Sequence, residues 1–207
     1  MKPREIVWRT LLLNPLANMT QQELAKGLKY SASTIHAALE IPRRVGAVHV
    51  GGRGVTVTDA AKLRTIWATF RNLPADTIAT YRLKAPVSEV EGDMIPEARF
   101  TGPSAAKFEL GFLPADYDTV LVYATADDLP KMEDRFHDRM HKRGQTVLRV
   151  VQPDPFLPSR VPLVQAYVDL WQLPDWWASE FLRYVGEALD TPTPDEREGR
   201  APYARVL

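Results

Sequence analysis

The sequence predicts a mixed α/β (α+β) fold in two parts, and three observations predict it. Residues 20–39, TQQELAKGLKYSASTIHAAL, place apolar residues at helical spacing on both sides of a short polar corner, and a strand–GGRG–strand pattern, VHVGGRGVTV, follows. Farther on, two β-branched runs, 119–124 and 146–151, flank a stretch of helical periodicity and read as a βαβ unit. Charge also changes sign along the chain. Residues 1–71 hold 11 Lys and Arg against 4 acids, a net charge of +7, and the rest carries −7.

A first helix is expected over residues 4–13, with Ile6, Val7, Leu11 and Leu12 inward, ended by Asn14-Pro15. Thr20 caps a second helix, and Glu23 completes a capping box. Leu24, Ala25 and Leu28 form its apolar side, and Lys29-Tyr30 make the corner. Ser31 or Ser33 caps a third helix that turns Ile35, Ala38 and Leu39 inward, and Pro42 is expected to stop or kink it. Strands at 47–50 and 55–57 form a hairpin whose glycines at 51–54 permit positive φ. Thr58 and Asp59 can cap a fourth helix running to about residue 72, with Ala60, Leu63, Ile66, Trp67 and Phe70 at helical spacing.

Leu73-Pro74 marks a boundary. Beyond it the pattern predicts a strand at 78–83, a turn-rich stretch at 86–96 and a short helix at 102–110. Then come a strand at 119–124, a helix at 129–143 stopped by Gly144, and a strand at 146–151. The absence of polar alternation in these two runs predicts strands buried on both faces, as in a parallel or mixed sheet. A long helix, or a pair broken at Pro174, covers 163–189; its tryptophans, Trp171, Trp176 and Trp177, form a core seam or a partner surface. The expected domains are 1–73 and 74–190, with a Pro-rich, charged tail at 191–207 that is expected to be mobile.

Composition excludes several classes. There is no cysteine, hence no disulfide framework and no thiolate site. The apolar runs are too short to span a bilayer, and the N-terminus lacks the apolar segment of an export signal, so a cytoplasmic protein is expected. At 45% apolar and 25% charged residues, the chain has the composition of a globular protein.

The helix pair, its hairpin and the local charge predict an N-terminal winged helix-turn-helix. In that arrangement the second helix of the pair lies in the major groove. Ala25 and Ile35 have the spacing of the crossing residues; the corner glycine is replaced by Lys29. With Ile35, Ala38 and Leu39 inward, Ala32, Ser33, His36, Ala37 and Glu40 face outward. Ser33 and His36 can bond base edges or phosphates, while Ala32 and Ala37 allow close approach or touch a thymine methyl. Ser31 and Thr34, at the helix N-terminus, can bind phosphate. Arg43 and Arg44 are placed on the backbone, and Arg53 at the hairpin tip in an adjacent minor groove. No arginine projects from the outward face of the helix, so a large electrostatic share is expected.

Two other constellations are weaker. His137 and His141 are four apart and would share a helix face, but no third ligand accompanies them, and a solvated face is expected. Asp116, Asp118, Asp127 and Asp128 flank the strand at 119–124, and paired acids at strand ends can hold magnesium. No glycine-rich phosphate loop precedes them. No catalytic residue, metal or cofactor is expected, and the protein is not expected to be an enzyme.

Two short motifs mark the chain beyond residue 73. They are the segment FTGPSAAKFELGF (with Thr101, Gly102, Ser104 and Ala105) and the later YVDLWQLPDWWASEFL (with Tyr167, Asp169 and Leu170). Together with the winged N-terminal region and the strand TVLVYA, they resemble the AbiEi-type antitoxins of type IV toxin–antitoxin systems. The chain departs from that pattern in its paired tryptophans and in Pro103. The resemblance implies an autorepressor that binds its own operator. It also implies a nucleotidyltransferase-like C-terminal domain without catalysis that serves antitoxicity and helps bind DNA, and a separate nucleotidyltransferase toxin.

The reading is therefore a DNA-binding transcriptional regulator, a repressor rather than an activator, with double-stranded DNA as partner. A cognate toxin and a homodimer are the further partners considered. Two alternatives stand beside it. One is a ligand-sensing regulator whose second domain binds a small molecule near the tryptophans. The other is a nucleotidyltransferase-type enzyme with a DNA-binding appendage, acting through the four aspartates.

Overall fold

A computed structural model describes residues 1–15 and 17–191; the expected tail lies, from residue 192 on, outside the described residues. Among the described residues the chain is mixed α+β, with ten α-helices and two small sheets. It divides into two compact units, Met1–Arg71 with Glu187–Leu207, and Asn72–Gly186. The last residues of the long C-terminal helix thus group with the first unit and not with the α/β unit. No helix among the described residues is long and apolar enough to cross a membrane.

The first unit runs α1 (Pro3–Leu13), α2 (Gln21–Leu28), α3 (Ala32–Arg44), β1 (Val48–Gly51), β2 (Gly54–Val57) and α4 (Ala60–Phe70). Each start has a local cause. Thr20 accepts from the Glu23 amide at 3.2 Å while the Glu23 carboxylate takes the Thr20 amide at 2.7 Å, closing the capping box. Ser31 caps α3 by accepting from the Thr34 amide, and Asp59 caps α4 by accepting from that of Lys62. Ile6, Val7, Leu24, Leu28, Ile35, Leu39, Leu63 and Trp67 are all buried to form the core.

Pro42 neither stops nor ends α3, which continues to Arg44. A proline inside a helix removes one N–H and leaves the carbonyl four residues earlier without its helical partner. Here that carbonyl is Ala38, and the Trp8 indole N–H donates to it at 2.7 Å. The corner falls at Lys29, which has left-handed φ and ψ of 53° and 37°. It is the single non-glycine residue with positive φ among the described residues.

The hairpin pairs Gly51 with Gly54, so its tip is Gly52-Arg53. Positive φ occurs at Gly54, where a Cβ would lie 2.8 Å from the carbonyl oxygens of Asn18 and Met19. That closeness lets the Val55 amide donate to the Met19 carbonyl at 2.8 Å, tying the segment before α2 to the hairpin.

The second unit contains α5 (Leu73–Asp76), β3 (Thr77–Leu83), α6 (Val87–Gly92), β4 (Arg99–Thr101), α7 (Gly102–Leu110), β5 (Thr119–Tyr123), α8 (Leu129–Phe136), β6 (Thr146–Val151), α9 (Leu163–Leu170) and most of α10 (Trp176–Asp190). The sheet order is β3-β6-β5-β4, with β5 and β6 parallel and both outer pairs antiparallel. The β5–α8–β6 connection is the expected βαβ unit. One sheet face, with Val120, Val122, Leu148 and Val150, packs against Val90, Met132 and Phe136 of α6 and α8. The other face meets α7 and α9: a Cβ on Gly102 would lie 3.3 Å from Leu121, and the Tyr123 hydroxyl donates to Asp169.

Three expectations for this unit are corrected. The stretch 86–96, expected to be turn-rich, holds a short helix, because α6 forms after Pro86 and is anchored by buried Val90. The helix expected at 129–143 ends at Phe136 and passes into a 3-10 turn at His137–Arg139. The backbone after it is drawn to the sheet: the Lys84 amide donates to the Arg139 carbonyl at 2.8 Å, and the His141 amide to that of Arg82 at 2.9 Å. Gly144 is therefore no helix stop; a Cβ there would lie 2.4 Å from the Leu83 nitrogen, so the position demands close backbone approach. The segment 163–189, by contrast, is the helix pair offered as one alternative, with Pro174 in the break between Leu170 and Trp176.

Candidate nucleic-acid interface

The third helix turns Ile35, Ala38 and Leu39 fully inward. That leaves Ser31, Ala32, Ser33, His36, Ala37 and Glu40 exposed and Thr34 half-buried. The outward surface is small and polar, so a neighbouring surface can approach its backbone closely. At the helix start the Ser31 hydroxyl lies 2.8 Å from those of both Ser33 and Thr34. Ser31 accepts from the Thr34 amide as the cap, and its hydroxyl joins those of Ser33 and Thr34 in one cluster at the helix start. Arg43 and Arg44 are exposed in the last turn, and Arg53 is exposed at the hairpin tip.

The structure sorts the positive charge of this unit. Arg9, Arg64 and Arg71 are buried and structural. Arg64 pairs with Asp190 at 3.0 Å, and Arg71 lies 3.8 Å from Glu5. Burial pushes the Glu5 carboxyl above the usual carboxylate range, although Arg71, the Lys2 amide and the Trp67 indole pull it back. Of the four acids within residues 1–71, Glu5 is in the core and Glu23 and Asp59 are spent on caps, leaving Glu40 as the exposed acid of that stretch without such a role. Lys26, Lys29, Arg43, Arg44 and Arg53 are exposed and make no ion pair among the described residues. The net charge read from the sequence overstates the number of available cations, yet those that remain lie on α2, α3, the hairpin tip and, with Lys2, at the start of α1.

The start of α1 was not singled out from the sequence. Lys2, Pro3 and Arg4 line a groove whose other wall is Thr34, Ala37, Glu40 and Ile41 of α3. The Arg4 guanidinium sits 5.0 Å from the Phe70 ring centroid, a cation–π contact that holds it beside the groove. The basic N-terminal sequence was the available signal, but only packing of α1 on α3 places it next to the helix face.

The other constellations do not assemble. His137 and His141 do not share a helix face, because α8 ends before them. No group of three or more His, Asp or Glu side chains suited to a metal ion occurs among the described residues. Asp128 is engaged by the Thr125 amide and hydroxyl at 3.0 and 2.6 Å, an N-terminal cap before α8. Trp177 is buried, whereas Trp171 and Trp176 are exposed, so the tryptophans divide between core and surface. Thr101 and Asp169, which belong to the two C-terminal motifs, do meet: the Thr101 hydroxyl donates to the buried Asp169 carboxylate at 2.8 Å. Tyr123 and Gln165 bond the same carboxylate at 2.7 and 3.2 Å. All four residues are buried, so this is a polar staple between β4, β5 and α9 rather than an open site.

Comparison of the chain with protein-family models, with curated proteins and with solved structures returns no match.

Proposed function

We propose that the first unit is a winged helix-turn-helix and that the chain is a DNA-binding transcriptional regulator, an autorepressor of antitoxin type. One observation carries the reading. The small polar face of α3 is flanked by unpaired exposed cations at its end (Arg43, Arg44) and at the hairpin tip (Arg53). Helix, hairpin and cations match the elements by which such a domain reads a major groove and grips the neighbouring backbone. The contacts assigned to bases are Ala32, Ser33, His36 and Ala37. Those assigned to phosphates are Thr34, Arg43 and Arg44, with the capped helix start at Ser31 and a minor-groove role for Arg53.

For the second unit the reading is a nucleotidyltransferase-like fold without catalysis. The mixed sheet with its βαβ crossover supports the fold part of that reading. Its corresponding partner is a separate nucleotidyltransferase-like toxin.

The test is fluorescence anisotropy with a duplex from the region upstream of the protein's own gene, against a scrambled duplex, at several salt concentrations. Tighter binding to the upstream duplex, weakened by Ser33→Ala with His36→Ala, supports the reading. Equal binding to both duplexes, or none, overturns the autorepressor.

A further inference from the structure

The second unit is acidic overall, but its cations are not evenly handled. Lys107 pairs with Glu91, Lys131 with Glu97, Arg139 with Asp93, Arg160 with Glu109 and Arg183 with Glu180. Arg99 donates to the carbonyls of Leu157 and Pro158. Besides Arg99, six cations are without an ion pair among the described residues of this unit, and five of them gather in one place: Arg82, Lys84, Lys142, Arg143 and Arg149. The sixth, Arg135, is on α8. The gathering has a structural cause. Arg149 stands opposite Thr80 in the β3–β6 register, Arg82 is two residues along the same strand face, and the loop with Lys142 is stitched to β3 through His141.

This corner surrounds an open sheet edge. β3 is the outermost strand, and among the described residues its outer side is bridged at Leu83 alone, by Met140. The Arg82 carbonyl points outward to His141, so by strand alternation the Thr80 amide and carbonyl point outward too, toward no partner strand among the described residues. A shallow groove lined by Thr80, Tyr81, Arg82, Met140, His141 and Lys142 lies alongside.

We propose that the outer edge of β3 binds an extended acidic segment of a partner protein by strand addition. The main chain of the segment would bond the open edge at Thr80 and the Arg82 amide, and acidic side chains at alternate positions would meet Arg82 and Arg149 on one sheet face. Local charge selects the occupant. A second copy would bring Arg82 and Lys84 against their own kind, the repulsion by which edge strands avoid self-pairing. A nucleic-acid duplex needs a broad basic surface, and beyond this corner the unit is acidic.

The experiment uses the full chain and a fluorescein-labelled peptide, Gly-Glu-Val-Glu-Thr-Glu-Gly, followed by anisotropy. Three comparisons accompany it: a Lys-for-Glu peptide, the same acidic peptide N-methylated on its backbone, and a mixed-sequence duplex as competitor. The acidic peptide is expected to bind, with affinity falling at least about tenfold in Arg82→Ala/Arg149→Ala and on N-methylation, which keeps charge but removes main-chain donors. The Lys peptide is expected not to bind. Failure of the acidic peptide to bind, equal binding of the N-methylated form, or displacement by the duplex dependent on Arg82 and Arg149 would each overturn the proposal. Circular dichroism of the double variant, and the N-methylated probe with unaltered protein, separate loss of binding from loss of fold. None of these outcomes bears on operator binding by the first unit.

Discussion

The Trp8 indole N–H donates to the Ala38 carbonyl at 2.7 Å, taking the place of the backbone donor that Pro42 lacks inside α3. Trp8, distant in sequence from Ala38 and Pro42, thus joins them in one unit of hydrogen-bond accounting, in which a side chain of α1 substitutes for a missing backbone donor of α3.

Trp8→Phe keeps most of the ring but orphans a buried carbonyl, and it is expected to cost roughly 1–3 kcal/mol in urea unfolding. In a Pro42→Ala background the new amide can take the Ala38 carbonyl, so the cost of Trp8→Phe should shrink. Simple additivity of the two substitutions would show that the proline and the indole are unconnected.

Lys29 holds a left-handed backbone at a cost of roughly 1–2 kcal/mol relative to a glycine free of Cβ crowding. Lys29→Gly is expected to stabilise the protein by about 1 kcal/mol after the entropy it adds to the unfolded chain. Lys29→Ala should bring no such gain. A Gly variant no more stable than the Ala variant would contradict the strain.

Glu5 gives a pH dependence with a definite sign. Its folded carboxyl is raised above the ordinary 4.5, chiefly by burial, so the native state binds this proton more tightly than the unfolded chain. Its contribution is full below the ordinary value and is lost as pH rises through the folded one. Glu5→Gln mimics the protonated group and lacks this titration. Melting temperatures measured from about pH 4 to about pH 8 should show the wild type losing ground to Glu5→Gln as pH rises. A difference that is flat, or that moves the other way, would refute the shift.

The salt dependence of DNA binding counts phosphate contacts. Arg43→Ala and Arg53→Ala should each flatten the slope of log affinity against log salt by about 0.9 per lost contact. A slope unchanged in both variants would remove these arginines from the backbone interface. Combining Lys2→Ala with Arg4→Ala asks the same of the groove beside α3.

Much of the first unit was legible because its signals are local. The Thr20–Glu23 box, the Ser31 and Asp59 caps and the inward set Ile35, Ala38 and Leu39 each span a few residues, and helix geometry then dictates which side chains face out. The βαβ unit was legible for the same reason, from β-branched runs buried on both faces. The limits of α8 and the role of Gly144 were not, because long-range backbone bonds to β3 override a helical pattern that continues to residue 143. The fate of Pro42 also depended on a donor from another helix.

By itself the sequence determined the elements of the first unit, the βαβ strands of the second, the outward face of α3 and the sign of the charge in each half of the chain, since these follow from periodicity, caps and composition. Only the tertiary structure decided which charges are available. Arg9, Arg64 and Arg71 look like any other arginines in the chain, yet they are buried, while Arg82 and Arg149 become neighbours through strand register. Availability is set by burial and pairing between distant residues, and no local pattern encodes either.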